Sequence, residues 1–273
     1  MVEAIEDLFV PVLVYNNEDS DAKLLAQFKE PSWNNPVTRF LKSDGSDVIK
    51  RQDNVWYIQP MATRMVLALE AANKEVPDYL RAISSSPMKQ EKATFAMHCY
   101  WEGEGKLGSI RGVSNTLSGW ADGLEVVELT YDPSLVKYET LVKAAQSFEC
   151  ASKVFAHSKS QLKTAQSLVG GKAAAAPKAS RVAKLSDQKY YLRNTPVLRS
   201  LPLTKLQSTK VNAALSGKTD IASLLSPRQK ELFKRIKKHP TESMTAFVFP
   251  DDDSKLAEYS AKLTAHLNSA DSN

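Results

Sequence analysis

The residues with the clearest chemical potential lie in the stretch Lys92-Ala-Thr-Phe-Ala-Met-His-Cys-Tyr-Trp-Glu-Gly-Glu104. An apolar, strand-like run ends at Cys99, and the pattern predicts a helix opening directly behind it. A thiol at a helix N-terminus lies near the positive end of the helix dipole and near unpaired backbone N–H groups, and both favour thiolate over thiol. The thiolate is the nucleophile, so this position suits a reactive cysteine. The other reading of the same position is a small, inert core residue, which is the common fate of a free cysteine.

The wording of the stretch resembles the active-site signature of the A-type peptide methionine sulfoxide reductases, G-C-F-W-G-x-E after a strand of the form A-T-F-A-G. Ala93-Thr-Phe-Ala96 precedes Cys99-Tyr100-Trp101, with Glu104 at the last place of the motif. Further along, Gly112-Val113 matches the family's P-G-V step and Gly119-Trp120-Ala121-Asp122-Gly123 its G-Y-x-G-G. Leu124-Glu125-Val126-Val127 with Tyr131-Asp132-Pro133 is similar to A-E-V-V…Y-D-P, and Tyr138-Glu139-Thr140-Leu141 to Y-E-x-L. Val154-Phe155-Ala156-His157-Ser158, with Gln161 beyond, is similar to I-F-Y-H-S. The match runs from about residue 91 to 168. The family's longer loop before the glutamate, its H-D-P-T and its Q-Y-R have no counterpart here. The nucleophile, the aromatics and the acid are kept, whereas two tyrosines and an aspartate of the family's site are not.

The resemblance implies attack of the Cys99 thiolate on a sulfoxide sulfur, with Glu125 protonating the oxygen and Tyr100 and Trp101 receiving the substrate methyl group. A cysteine sulfenic acid results, and a second thiol converts it to a disulfide. The implied partners are a sulfoxide-containing peptide or small molecule and an external thiol reductant such as thioredoxin. Tyr100 and Trp101 also read as ordinary core aromatics, and Glu125 as a solvent-facing position of an alternating strand.

Cys150 is the candidate for the second thiol, because the chain has two cysteines in all. That count excludes a disulfide framework, and it leaves Cys99 and Cys150 open as a redox pair, a structural bridge or unrelated thiols. A further alternative is a catalytically degenerate binding protein that uses Cys99 and Cys150, with His98 and His157, for a soft metal such as copper or zinc or for a thiol adduct. Their spacing follows no zinc-finger pattern.

The elements that would position these groups are read from pattern. The fold class expected is α/β, with an α+β, ferredoxin-like reductase domain over residues 89–169. Residues 1–88 look like a thioredoxin-like domain: a buried strand at Phe9-Val-Pro-Val-Leu-Val-Tyr15, a helix capped by Asp19-Ser20-Asp21, a hairpin around Asp44-Gly45 and a helix from about Pro60 to Ala72. Pro36 would hold the place of that family's cis-proline. Asn16-Asn17-Glu18-Asp19 stands where a Cys-x-x-Cys would, so this domain would dock or scaffold rather than exchange disulfides.

Gly170-Gly171, four consecutive alanines and Pro177 predict a linker over 170–184. A basic helical region is expected over 185–273, with helices starting at Thr204 and at Ser226-Pro227 and a last one over about 254–267. Residues 181–240 carry fourteen Lys and Arg against three Asp and Glu. That excess makes them a candidate surface for an anionic partner, or a solvated face balancing an acidic remainder. A non-catalytic interaction protein acting through this region is the third functional class.

The chain's 273 residues, 42% hydrophobic and 25% charged, suffice for two or three domains. No run approaches a membrane span, and residues 1–6 do not read as a signal peptide; the compartment stays open. There is no P-loop, G-x-G-x-x-G or Ser/His/Asp signature, so the sequence calls for no nucleotide cofactor.

Overall fold

The computed structural model describes residues 1–85, 89–177, 180–239 and 241–271. The chain divides into two compact units, 1–84 and 85–273. The expected boundary at residue 88 falls outside the described residues.

The first unit comprises α1 (Val2–Leu8), α2 (Ala22–Phe28), β1 (Val37–Thr38), β2 (Gln52–Asp53), α3 (Ile58–Ala71) and α4 (Asp78–Ser84). Its core is helical, with Ala62, Met65 and Leu69 of α3 against Tyr79 and Leu80 of α4 and Ala4 of α1. The Asp44-Gly45 signal forms a tight turn. Gly45 takes φ +80°, and Ser46 donates from its backbone N–H to the Asp44 carboxylate at 2.8 Å. The Asn35–Pro36 peptide bond is cis. The strand expected at Phe9–Tyr15 is not formed: most of the run is exposed, with Val10 at 90% and Val12 at 75%. Pro11 removes a ladder donor from the middle of the run, and the small β1–β2 sheet lies elsewhere. An apolar run becomes a strand only where a partner edge receives it.

The second unit is built on one mixed sheet. Its strands are β3 (Glu91–Ala96), β4 (Val113–Ala121), β5 (Leu124–Tyr131), β6 (Lys153–Ala156), β7 (Ala173–Ala175) and β8 (Ser180–Val182), in the order β7-β6-β3-β5-β4-β8. All pairs are antiparallel except β6–β7. The α/β class expected from the sequence is thus the observed one. One face packs Phe95, Met97, Val127 and Leu129 under α5 (Tyr100–Gly108), α6 (Tyr138–Ser147) and α7 (Lys159–Val169). The other face gathers Ala96, Ala121, Val126 and Phe155.

The segment expected as a linker instead supplies both edge strands. Ala173–Ala175 pairs in parallel with Val154–Ala156, and Ser180–Val182 pairs with Gly119–Ala121. Small side chains that cannot form a core of their own can still complete a ladder, and Ala174 and Ala176 pack against the Phe155 face. Beyond them lie α8 (Tyr190–Arg193), α9 (Lys205–Ser216), α10 (Pro227–Ile236) and α11 (Leu256–Asp271) around a second core that includes Leu192, Leu201, Val211, Phe249 and Leu263. Thr204 and Ser226 cap α9 and α10 with full capping boxes, and Pro227 opens α10, as their residue types predict. Among the described residues, no helix is long and apolar enough to cross a membrane.

Candidate functional site

Cys99 is half-buried and stands at the N-cap of α5, in extended conformation (φ −140°, ψ 114°). The strand-to-helix switch read from the sequence is therefore formed where it was expected. Glu125 lies on β5 just beyond the end of β3, where its backbone carbonyl accepts from Met97 N–H at 3.0 Å. Its side-chain Oε2 accepts from the backbone N–H of Tyr100 at 2.9 Å. The carboxylate thus occupies the helix N-terminus one residue from the thiol, where dipole and free N–H favour negative charge.

An aromatic cluster encloses this corner. The Tyr100 ring meets Trp120 edge to face at 5.3 Å and Trp101 at 6.0 Å, while Trp101 stacks on Tyr190 at 4.0 Å and 17°. The Trp101 indole N–H is buried, with no hydrogen-bond partner among the described residues. Burial raises the Tyr100 hydroxyl above the usual phenol range, helped by the charges of Asp187, Glu125 and Cys99 and opposed by Arg181. Tyr100 is therefore a neutral, proton-bearing group at neutral pH.

Four residues of this corner escaped the sequence reading as site residues: Trp120, Arg181, Asp187 and Tyr190. Trp120 was legible in principle. Asp122 (φ +57°) and Gly123 (φ +75°) form a two-residue hairpin turn, which sets Trp120 opposite Glu125. The other three come from the segment after the reductase-like motifs. They are placed by long-range packing that no local pattern announces.

That segment is fastened to α5, the helix that Cys99 caps. Glu104 is fully buried and accepts from the Lys189 backbone N–H at 2.6 Å and from the Thr116 hydroxyl at 3.0 Å. The Lys189 side chain is also buried, donating to Asn115 Oδ1 at 3.1 Å and the Thr116 carbonyl at 3.2 Å. Burial pushes the Glu104 carboxyl up and the Lys189 ammonium down. Arg193 pairs with Asp251 at 2.8 Å. Part of the positive excess of 181–240 is thereby consumed inside the unit, whereas Lys234, Lys237 and Lys238 remain exposed at α10.

Cys150 follows the C-terminus of α6 and is buried in the same apolar cluster as Tyr100, with Trp101 packed against it. Its Sγ–H donates to the Phe148 carbonyl at 3.3 Å. Burial pushes this thiol up, and the charge of Cys99 acts on it in the same direction. Both cysteines are free thiols.

The four-residue metal set is not assembled. His98 is exposed. His157 is hydrogen-bonded through Nε2 to Thr94 Oγ1 at 2.8 Å, and Thr94 alternates with Phe95 onto the sheet face away from α5. Burial lowers the His157 imidazole. Among the described residues, no three His, Cys, Asp or Glu side chains converge on a metal position.

No family model matches the chain. It is similar to peptide methionine sulfoxide reductase MsrA 1 of Nostoc sp., at 34% identity over 22% of this chain and 47% of that protein. A second relative is MsrA of Geobacter sulfurreducens, at 34% identity over 19% and 43%. A third is the peptide methionine sulfoxide reductase of Drosophila melanogaster, at 35% identity over 18% and 26%. The chain thus spans less than half the length of these curated relatives. Among solved structures, Saccharomyces cerevisiae Mxr1 in an unusual oxidized form aligns with a TM-score of 0.31 and 21% identity, covering 41% of this chain and 86% of that one. The chain carries a segment similar to methionine sulfoxide reductases.

Proposed function

We propose that this protein is a thiol-dependent oxidoreductase that reduces methionine sulfoxide, with Cys99 as nucleophile and Glu125 as acid. The observation that carries this reading is the 2.9 Å bond from Tyr100 N–H to Glu125 Oε2, which fixes a carboxyl group beside the thiol at the helix N-terminus. The Cys99 thiolate attacks the sulfoxide sulfur and a sulfur–sulfur bond begins to form. Charge builds on the sulfoxide oxygen beside Glu125. Glu125 supplies the proton to that oxygen. The protonated oxygen passes to Cys99 as its bond to the substrate sulfur and the nascent sulfur–sulfur bond break, which leaves a sulfenic acid and a thioether whose methyl group lies against Tyr100 and Trp101.

The Cys150 thiol then condenses with the sulfenic acid, releasing water and forming a disulfide, which an external dithiol returns to two thiols. Because Cys150 is core-buried, this step requires the turn after α6 to open.

Purified protein with dithiothreitol should convert methionine sulfoxide to methionine. Cys99→Ser should abolish turnover, and Glu125→Gln should lower kcat by about 10²-fold or more, the usual contribution of a positioned acid. Turnover equal to that of Cys99→Ser on both free and peptide sulfoxides would remove the reading.

A further inference from the structure

The corner around Cys99 contains a cation that the reduction chemistry does not use. Strands β8, β4 and β5 are neighbours, and their register sets Arg181 opposite Trp120 and Trp120 opposite Glu125. Directly paired residues project to the same face, so Arg181, Trp120 and Glu125 form a row across the side of the sheet that carries α5. Glu125 ends the row beside Cys99. At the other end the Arg181 guanidinium carbon lies 3.9 Å from the Trp120 ring centre.

Several features make Arg181 more than a surface charge. The Trp120 face holds the guanidinium plane by a cation–π contact, which fixes a long side chain in advance of binding. Arg181 is exposed, and among the described residues no carboxylate lies at ion-pair distance from it. Gly119 makes the close pairing of β4 with β8 possible, since a Cβ there would sit 2.4 Å from the Arg181 carbonyl oxygen. The Arg181 charge also reaches the Tyr100 hydroxyl, where it opposes the effect of Glu125.

The spacing fits a particular ligand chemistry. Strands lie about 4.8 Å apart, so the backbones carrying Glu125 and Arg181 are roughly 10 Å apart. In methionine sulfoxide, three carbons separate the sulfur from a terminal carboxylate, an extended reach of about 5 Å at ordinary bond lengths. The inward reach of the Arg181 and Glu125 side chains closes the remainder. The aliphatic chain would then lie along Trp120.

We propose that Arg181 is a specificity-determining residue that binds a substrate carboxylate, so that the Cys99 site favours sulfoxides bearing a carboxylate a few bonds from the sulfinyl group. Arg181 would grip it through paired N–H donors. The carboxylate is supplied either by the α-carboxyl of free or C-terminal methionine sulfoxide or by an acidic side chain next to methionine sulfoxide within a peptide. This inference rests on the reduction reading above and narrows its substrate.

The test compares kcat/KM for N-acetylmethionine sulfoxide with that for its methylamide, which lacks the carboxylate. The parent should favour the acid, mainly through KM. Arg181→Gln should lower the acid-to-methylamide ratio about tenfold, the scale of one charged hydrogen bond, and Arg181→Lys should restore part of it. Asp-Met(O)-methylamide, with Met(O) the sulfoxide residue, separates the sources. Recovery of the preference assigns the carboxylate to an acidic neighbour, and its absence assigns it to the α-carboxyl.

A parent ratio near one, or a ratio unchanged in Arg181→Gln, overturns the proposal. If the parent turns over neither compound, the reduction reading fails separately. The ratio of dissociation constants, measured by tryptophan fluorescence with the Cys99→Ser protein, then decides the role of Arg181. Binding of the acid no tighter than of the methylamide, or insensitive to Arg181→Gln, overturns it there too.

Discussion

Trp101 and Glu104 stand three residues apart on α5 and grip two consecutive residues of the C-terminal segment. Trp101 stacks on Tyr190 at 4.0 Å, and Glu104 accepts from the Lys189 backbone N–H at 2.6 Å. Residues at i and i+3 share a helix face, so one face of α5 fixes the place of residues 189–190. Lys189 holds φ +48°, a left-handed conformation that costs a non-glycine residue energy and is stabilised here by its buried contacts. The aromatic surround of Cys99 therefore depends on a contact far from it in sequence.

Glu104→Ala should consequently do more than remove a carboxylate. It leaves the Lys189 N–H and Thr116 hydroxyl, both buried with Glu104, without their acceptor. Leaving a buried donor unsatisfied costs about 1–3 kcal/mol. Urea unfolding should show that loss, and tryptophan emission should shift to the red as Tyr190 leaves Trp101. Glu104→Gln, which keeps an acceptor oxygen, should lose less. Equal stability of parent and Glu104→Ala would show that the contact does not hold the segment.

Much of this arrangement could be read locally. The strand–Cys99–helix switch, the Asp122-Gly123 turn and the caps at Thr204 and Ser226 all follow from residues within a few positions of one another. What could not be read depends on partners distant in sequence. The run Phe9–Tyr15 has strand composition but no edge to receive it. Ala173–Ala175 has linker composition but finds the edge of β6. Arg181 and Tyr190 reach the site through the β4–β8 register and the Glu104–Lys189 contact, neither of which leaves a local signature. The alternation of β5 left Glu125 open between a solvent-facing position and a place beside Cys99, and the bond from Tyr100 N–H puts it at the helix end.

Lys210 provides a test through pH. Its ammonium donates to the carbonyls of Gly108 and Ile110 at 2.8 Å each, at the C-terminal end of α5, and burial lowers its pKa to about 8 from an ordinary 10.5. Between those values the unfolded chain holds a proton that the folded protein has released. Stability therefore rises with pH across that window. The contribution is on the order of 3 kcal/mol, from 1.36 kcal/mol per unit. Below about pH 8 both states carry the proton and the folded state bears the full burial cost. Lys210→Met should abolish the Lys210 part of the rise in unfolding free energy between pH 8 and 10.5. Parallel pH profiles for the two proteins would contradict the burial of this ammonium.

The last prediction concerns the resolving step. Cys150 lies in the apolar cluster that includes Tyr100 and against which Trp101 packs, the two residues that follow Cys99 in α5. Yet Cys150 is buried and donates to the Phe148 carbonyl, and Glu149 before it takes φ +60°. This tight turn must open before the thiols can meet. With one equivalent of peroxide the parent should pass from a Cys99 sulfenic acid to a Cys99–Cys150 disulfide. Cys150→Ser should stop at the sulfenic acid, trapped by a dione reagent and located by mass spectrometry. Because opening limits the bridge, mild urea below the unfolding transition should speed disulfide formation in the parent. It should not shorten the lifetime of the sulfenic acid in Cys150→Ser. Parent and variant accumulating the same dione adduct, with no internal bridge at any urea concentration, would assign Cys150 to packing alone and leave Cys99 to be regenerated directly by the external thiol.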